Sequence, residues 1–183
     1  MRSSPASLAT AQPHPAGPAL TWLEILPVLH DGGAIRCLRP RRQASWRVPH
    51  DGGPVARAVS RELAGAGLRA VVVHSTSWRQ ECEAVLLTHL AVLRSGTVPG
   101  PEFEVRRVRR RELARGGATR PPDAVDVDQV LEHALRHLAW LQLDDRAVRA
   151  ALEPAWTDRL RGYRPEPFRV FENPPPVMAE PGP

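Results

Sequence analysis

Apolar residues in the first half of the chain fall into short runs whose spacing predicts β-strands. Glu24–His30 and Ala34–Leu38 flank Asp31-Gly32-Gly33. Asp-Gly between two such runs is typical of a β-hairpin, because glycine accepts a positive φ without strain. The pattern therefore predicts that these two segments form an antiparallel pair.

Three further segments carry strand patterns. Ala70–Val73 and Val85–Leu93 are short and rich in Val and Leu, which is typical of buried strands. The polar segment Arg79–Glu83 then serves as their connection. Phe103–Val108 alternates apolar and basic residues, as expected of a strand with one exposed face.

Helical spacing appears between and after these strands. Residues 54–66 repeat apolar positions at helical intervals; Pro54 suits the first turn, and Gly65 and Gly67 suit the end. Beyond Pro121-Pro122, Asp126 or Asp128 can cap a helix that runs through Leu141. Asp144 or Asp145 can cap another, and Pro154 either interrupts it or begins a short helix ending near Leu160.

The length of 183 residues fits one domain with appendages. Residues 1–18 are rich in Ser, Ala and Pro, which favours a disordered tail. The patterned region predicts an α/β domain over residues 19–143, followed by a helical or extended appendage over residues 144–173. Residues 174–183 are a proline-rich tail.

The charge and the cysteine content limit the classes of function and partner that the sequence supports. The net charge is +5, and all 25 basic residues are arginine, a bias typical of a GC-rich bacterial genome that weakens the basic charge as evidence for nucleic-acid binding. No apolar run has membrane-spanning length, and the N-terminus lacks a signal-peptide core. With only Cys37 and Cys82, we expect free thiols and a cytoplasmic protein without a membrane partner.

The order of motifs from residue 46 to residue 93 resembles the Nudix family, which cleaves nucleoside diphosphates linked to another group. Trp46-Arg-Val-Pro leads through Gly52-Gly53 to a helix with Arg61-Glu62-Leu63, and Gly67-Leu68 follows. The resemblance covers roughly residues 19–143. It implies a fold that contains both α-helices and β-strands (α/β in the broad sense, α+β in the narrower one). A mixed sheet carries helices on both faces, and a helical extension follows at the C-terminus.

The resemblance also locates the family's magnesium-binding carboxylates. Glu62 occupies one carboxylate position and is the candidate catalytic and metal-binding residue. The upstream glutamate position falls on Gly53, and the two downstream positions fall on Gly65 and Ala66. A single carboxylate is a poor Mg²⁺ site, which predicts lost or weak hydrolase activity and no cofactor.

Other carboxylates could replace the lost ones if the protein is active. The candidates are Glu81 and Glu83 in the connection before a strand, with Asp51 just before the helix. In that case the protein would be a Mg²⁺-dependent pyrophosphohydrolase of the Nudix type. The alternative interpretation of Arg61 and Glu62 is a charge pair on a helix surface.

Candidate phosphate-binding residues surround the same region. Without the family's glutamates, Arg47, Arg61 and Arg79 are expected to be unopposed and to attract anions. His74 and Trp78 follow a buried strand, where ligand loops often lie, and could contact a phosphate or a base. The alternative, favoured by the general burial of tryptophan, is a hydrogen-bonded turn with Trp78 in the core.

Two other patterns admit a functional interpretation. His133 and His137 have the i, i+4 spacing of zinc ligands, but partly buried positions on a helix edge explain them more simply. The run from Arg106 to Arg111 could bind phosphates, but it lacks interleaved aromatic residues. The favoured interpretation is the solvated face of a strand-to-helix junction, and nucleic acid is an unfavoured partner.

Three hypotheses follow. The first is a degenerate Nudix-like module that binds a nucleotide or another phosphorylated small molecule. The second is a divergent but active hydrolase. The third is a protein-interaction module without a small ligand, and fold resemblance alone does not choose among them.

Overall fold

The structure, a computed structural model, describes residues 20–31, 33–113 and 125–165. The predicted tails 1–18 and 174–183 lie outside these residues. The elements, in chain order, are β1 (Leu20–Asp31), β2 (Ala34–Pro40), β3 (Trp46–Pro49), α1 (Val55–Gly65), β4 (Ala70–Glu81), β5 (Ala84–Leu93), β6 (Phe103–Arg107), α2 (Val127–Asp144), α3 (Arg146–Ala151) and α4 (Pro154–Leu160).

The strands form one mixed sheet of six strands, in the order β4-β5-β1-β2-β6. β1 pairs in parallel with β5 and antiparallel with β2. β3 pairs antiparallel with the first half of β1, on the same side as β2. The expected α+β architecture with a mixed sheet is confirmed at this level.

The β1–β2 hairpin is confirmed, with Asp31 opposite Ala34 and Gly33 at a φ of 95°. The positive φ explains the glycine in this turn. Gly32 lies outside the described residues.

The predicted end of β4 is wrong. The strand does not stop at Val73 but continues to Glu81, pairing with β5 along its length. Only Cys82 and Glu83 form the connection, so the segment expected to be a polar loop is an edge of the sheet. Polar side chains are tolerated there because an edge strand is partly exposed.

Two hydrophobic clusters lie on opposite faces of the sheet. One face packs beneath α2 and α4 and includes Leu26, Val28, Leu135 and Trp156. The other packs beneath α1, whose Val59 and Leu63 meet alternate residues of the same strands. The alternation of side chains along a strand assigns successive residues of β1 to different cores.

Helix α1 ends where the chain adopts a left-handed conformation at Gly67, with a φ of 69°. The Leu68 amide donates to the Leu63 carbonyl at 2.8 Å, and the Gly67 amide donates to Ala64 at 3.0 Å. These two bonds form a Schellman motif, and Leu63 and Leu68 add its apolar contact. Gly65 is the last helical residue, so the helix ends at the two glycines as expected.

The caps of the C-terminal helices agree with the sequence. Asp126 and Gln129 form a capping box at the start of α2, and Asp145 caps α3. Pro154 begins α4. Trp156, Leu160 and Tyr163 belong to the same core as α2, so residues 152–163 contribute to the main hydrophobic cluster.

None of the helices in the described part of the chain has the length and apolar character needed to cross a membrane.

Candidate functional site

A cleft of about 660 Å³ lies between α1 and the strands β3 and β6. We call it the α1 cleft. It is lined by residues from α1, its C-cap, β2, β3, β6 and the segments between them: Pro40, Gln43, Trp46, Arg47, Val48, Arg61, Glu62, Gly65, Ala66, Glu102 and Phe103. The structure therefore brings three sequence-predicted residues, Arg47, Arg61 and Glu62, into one cleft.

Two of the three lost carboxylate positions of the resemblance also fall on this cleft, whereas the third, Gly53, does not line it. Gly65 and Ala66 line it beside Glu62, and neither supplies an oxygen ligand. A Cβ added at Gly65 would meet no atom within 4 Å, so the cleft has free space at this position. The rings of Trp46 and Phe103 pack at 5.3 Å between centroids on the opposite wall.

Arg61 is the most exposed guanidinium in this set, with 63% of its side chain accessible. Its Nε lies 3.6 Å from Glu62 Oε1, a separation typical of a weak surface pair. The interpretation of Arg61 and Glu62 as a charge pair on the helix surface agrees with this geometry, and Arg61 keeps most of its surface open to a ligand.

Glu24 is the residue that sequence reasoning missed. It is completely buried on β1, and Arg79 holds it with two hydrogen bonds of 2.6 and 2.8 Å. Ser45 and Thr88 donate to the same carboxylate at 2.7 and 2.9 Å. A charged residue inside an apolar strand run was the available signal, because buried carboxylates require partners.

The balance of these contacts sets the ionisation of Glu24. Burial raises the pKa of a carboxyl, but hydrogen bonds and charge from Arg79, with Ser45 and Thr88, outweigh it. The pKa of Glu24 is therefore below its usual value, and the carboxylate stays ionised. Burial correspondingly lowers the pKa of the Arg79 guanidinium, but Glu24 outweighs that effect and raises it.

The expectation that Arg47, Arg61 and Arg79 are all unopposed is wrong for Arg47 and Arg79. Arg47 Nη1 donates to Glu81 Oε1 at 3.0 Å, and its Nε donates to Ser45 at 3.1 Å. Arg79 Nε also lies 3.8 Å from Glu81. We refer to Glu24, Ser45, Arg47, Arg79, Glu81 and Thr88 as the Glu24 network; it neutralises both guanidiniums from within the chain.

The candidate substitute carboxylates have other surroundings than the α1 cleft, which none of them lines. Glu81 faces Arg47 and Arg79, Glu83 is exposed in the β4–β5 turn, and Asp51 accepts from the Gly53 amide at 3.2 Å. Over residues 20–31, 33–113 and 125–165, no group of three or more His, Cys, Asp or Glu side chains could hold a metal ion.

His74 and Trp78 do not line the α1 cleft. His74 Nε2 lies 3.0 Å from Nε2 of His137 on α2, so its imidazole joins β4 to the opposite helix layer. Burial lowers the pKa of His74, which favours the neutral form required for an imidazole pair. The expected core position of Trp78 is wrong: 66% of this residue is exposed, because β4 is an edge strand.

His133 and His137 of α2 contact different residues of β4. His133 Nε2 lies 3.3 Å from the Thr76 carbonyl oxygen, whereas His137 meets His74. These separate partners agree with packing positions and do not bring His133 and His137 together as ligands.

A serine, a histidine and a glutamate meet near the end of β1. Ser95 Oγ lies 3.0 Å from His30 Nε2 and also donates directly to Glu153, whose Oε2 lies 3.2 Å from the same Nε2. In a nucleophilic triad the histidine separates the serine from the carboxylate. Here the carboxylate contacts the hydroxyl, so the group anchors α4 to the sheet and does not form a relay.

The arginine run forms a second cleft of about 720 Å³ on the α2 side of the sheet. We call it the arginine cleft. It is lined by β2, β6, the segment after β6 and the start of α2: Cys37, Arg39, Arg106, Arg107, Val108, Arg109, Arg110, Arg111, Asp128 and Leu131. Burial raises the pKa of the Cys37 thiol to about 11, so this cysteine is not a nucleophile near neutral pH.

Comparison with known proteins does not assign either cleft. The sequence matches no protein-family model and resembles no curated protein.

Proposed function

We propose that this protein is a Nudix-like module that binds a nucleotide or another phosphorylated small molecule in the α1 cleft, with lost or weak hydrolase activity. The proposal rests on one observation. The cleft beside Arg61 and Glu62 has space for such a ligand, and the positions of two signature glutamates, Gly65 and Ala66, line it without carboxylates.

The missing carboxylates argue against efficient hydrolysis. Mg²⁺ takes six oxygen ligands in near-octahedral geometry and needs negative charge from the protein beside a pyrophosphate. Glu62 alone supplies one carboxylate on α1, and Glu81 is neutralised by Arg47 and Arg79. The remaining chemistry of the cleft suits binding better than activation of water.

The walls of the cleft supply complementary contacts for a nucleotide. The Arg61 guanidinium is exposed and can form paired hydrogen bonds with phosphate oxygens. The Trp46 ring offers a surface on which a base can stack. A volume of about 660 Å³ is within the range of small-molecule sites.

Thermal-shift measurements with nucleotides and sugar phosphates, with and without Mg²⁺, test the proposal. We expect a ligand to raise the Tm without Mg²⁺, since a ligand that binds only the folded state stabilises it. Arg61→Ala should abolish the shift that nucleoside monophosphates and sugar phosphates cause. Arg57→Ala is the matched control, because Arg57 is exposed on the same helix but does not line the cleft.

Two results would contradict the proposal. No shift with any phosphorylated ligand would favour the protein-interaction module. Equal loss of the shift in the Arg57 and Arg61 variants would mean that general charge, and not the cleft, attracts the ligand.

A divergent hydrolase is the second candidate, because Glu62 and Glu102 both line the α1 cleft. A bound Mg²⁺ would then lie between α1 and the segment before β6, held together with substrate phosphates. Release of phosphate or a nucleoside monophosphate that requires Mg²⁺ and disappears in both Glu62→Gln and Glu102→Gln would establish this function and replace the first.

A further inference from the structure

We infer that the arginine cleft is a second binding site, for a compact anion that carries several phosphate groups. This inference is independent of the function proposed above. The arginine cleft shares Leu131 and Cys37 with the core beneath α2, whereas the α1 cleft shares Phe103 with the core on the opposite face of the sheet.

The charge of the cleft is only half compensated. Of its six arginines, three have carboxylate partners: Arg39 pairs with Asp128, Arg106 with Glu104 at 2.9 Å, and Arg110 with Glu132 at 2.9 Å. The other three are Arg107, Arg109 and Arg111. Their guanidiniums are exposed and make no ion pair with the residues that the structure describes.

The compensated arginines give the cleft a fixed wall. Glu132 is completely buried on α2 and accepts from Arg110 Nε at 2.9 Å, from Arg136 Nε at 2.8 Å and from the Arg111 amide at 3.3 Å. Arg110 also lies over the Tyr163 ring at 4.1 Å. These contacts hold the segment after β6 against α2, and the other arginines of this segment line the same cleft.

A buried donor of the cleft also lacks a partner. Arg39 is mostly buried, with 11% of its side chain accessible, and its Nε makes no hydrogen bond in the described part of the chain. Buried donors are normally satisfied, and a ligand oxygen is one way to satisfy them. The wall of the cleft thus contains one guanidinium whose hydrogen-bonding capacity the described residues do not fill.

The size of the cleft selects the class of ligand. Each guanidinium group can form two parallel hydrogen bonds to the oxygens of one phosphate. Three uncompensated positive charges therefore match a ligand with two or more adjacent phosphates. A volume of about 720 Å³ accommodates a compact ligand. Single-stranded nucleic acid would require an extended basic groove with stacking rings, and none of the described aromatic residues lines this cleft.

Binding of inorganic tripolyphosphate to the purified full chain tests the inference, by calorimetry and thermal shift. We expect stoichiometric binding to the wild type that exceeds the affinity for orthophosphate. The variant Arg107→Gln/Arg109→Gln/Arg111→Gln should bind at least about tenfold more weakly, because it loses three charged donors. The single variant Arg109→Gln, at an exposed position, should show an intermediate loss.

The matched control is Arg57→Gln/Arg69→Gln/Arg94→Gln. These three arginines are exposed, make no ion pair with described residues and line neither cleft. Like the triple variant at positions 107, 109 and 111, called the cleft variant below, this control loses three positive charges, so the two variants have the same net charge. It should keep wild-type affinity, and Arg61→Ala should keep it as well.

Several results would overturn the inference. Equal weakening in the two triple variants would show that net charge, and not a site, attracts the anion. Affinity lost in Arg61→Ala but kept in the cleft variant would move the site to α1. Tighter binding of single-stranded RNA than of tripolyphosphate, lost in the cleft variant, would make the cleft a nucleic-acid surface.

Discussion

Glu24 is a buried charge whose loss should destabilise the fold. Glu24→Gln keeps the shape of the side chain but leaves Arg79 without its ionic partner. Removal of one member of a buried ion pair costs about 3–5 kcal/mol, because the other charge remains desolvated. We expect a decrease of about that size in the free energy of unfolding, measured by urea denaturation.

Glu81 provides the internal control for that measurement. Its carboxylate belongs to the same network but is 44% exposed, and solvent screens its contact with Arg47. Glu81→Gln should therefore cost less than about 1 kcal/mol. Equal costs at Glu24 and Glu81 would contradict the assignment of Glu24 as the centre of the network.

Truncation of the two tryptophans at positions 78 and 156 should change the stability by very different amounts. Trp78 is mostly exposed on an edge strand, so Trp78→Ala should change stability by no more than about 0.5 kcal/mol. Trp156 is 1% exposed in the core beneath α2, and Trp156→Ala should cost about 3–5 kcal/mol. Chemical denaturation of both variants measures the difference.

The fluorescence of the same variants gives a second check. Iodide should quench the emission of the wild type more strongly than that of Trp78→Ala, because the exposed ring is removed. Unchanged quenching in this variant would place Trp78 in the core after all.

At the level of elements, two glycines at the end of α1 should behave in opposite ways. Gly65 is helical and a methyl group there would have no atom within 4 Å, so Gly65→Ala should stabilise the protein by about 0.5 kcal/mol. Gly67 has a φ of 69°, so Gly67→Ala should destabilise it by about 1 kcal/mol. Thermal and urea unfolding of the two variants would reveal a difference in sign.

The sequence predicted most elements because their signals are local. Glycine at the β1–β2 turn and aspartates at the starts of α2 and α3 act within a few residues. The extent of β4 was missed because it depends on pairing with β5, and the turn at Cys82 contains no glycine. Cys82 adopts a φ of 54°, a conformation that is uncommon for cysteine and that its residue type therefore does not predict.

The sites were predicted less completely than the elements. Arg47, Arg61 and Glu62, three of the residues singled out in the sequence, line one cleft. The pairing of Arg79 with Glu24 spans 55 residues and depends on which strands lie side by side. Contacts of this kind follow from topology, which no local pattern in β1 or β4 encodes.

For the molecule as a whole, four buried or partly buried groups should make the protein sensitive to acid. Burial lowers the pKa of His74 and His89 below their ordinary value of 6.5. Burial raises the pKa of Glu132, but Arg110 and Arg136 outweigh it, so its pKa, like that of Glu24, is below 4.5. A lowered pKa in the folded state means that acid protonates the unfolded chain first.

The free energy of unfolding should therefore decrease in two stages as the pH falls. The histidines cause a loss below pH 6.5, and the glutamates cause a further loss below pH 4.5. Urea denaturation across this range measures both stages. Glu132→Gln should flatten the lower stage, whereas Glu83→Gln, at an exposed position, should leave the profile unchanged. A profile without slope below pH 4.5 would contradict the ionised, buried state of both glutamates.

The division of the hydrophobic residues into two clusters, one on each face of the sheet, has a consequence for how this chain can vary. The layer formed by α1 can exchange its surface residues without repacking the layer formed by α2 and α4, since the backbone of the sheet lies between them. Substitutions on the two sides should then have additive effects on stability. Substitutions can therefore accumulate in the layer on one side while the layer on the other side keeps its packing.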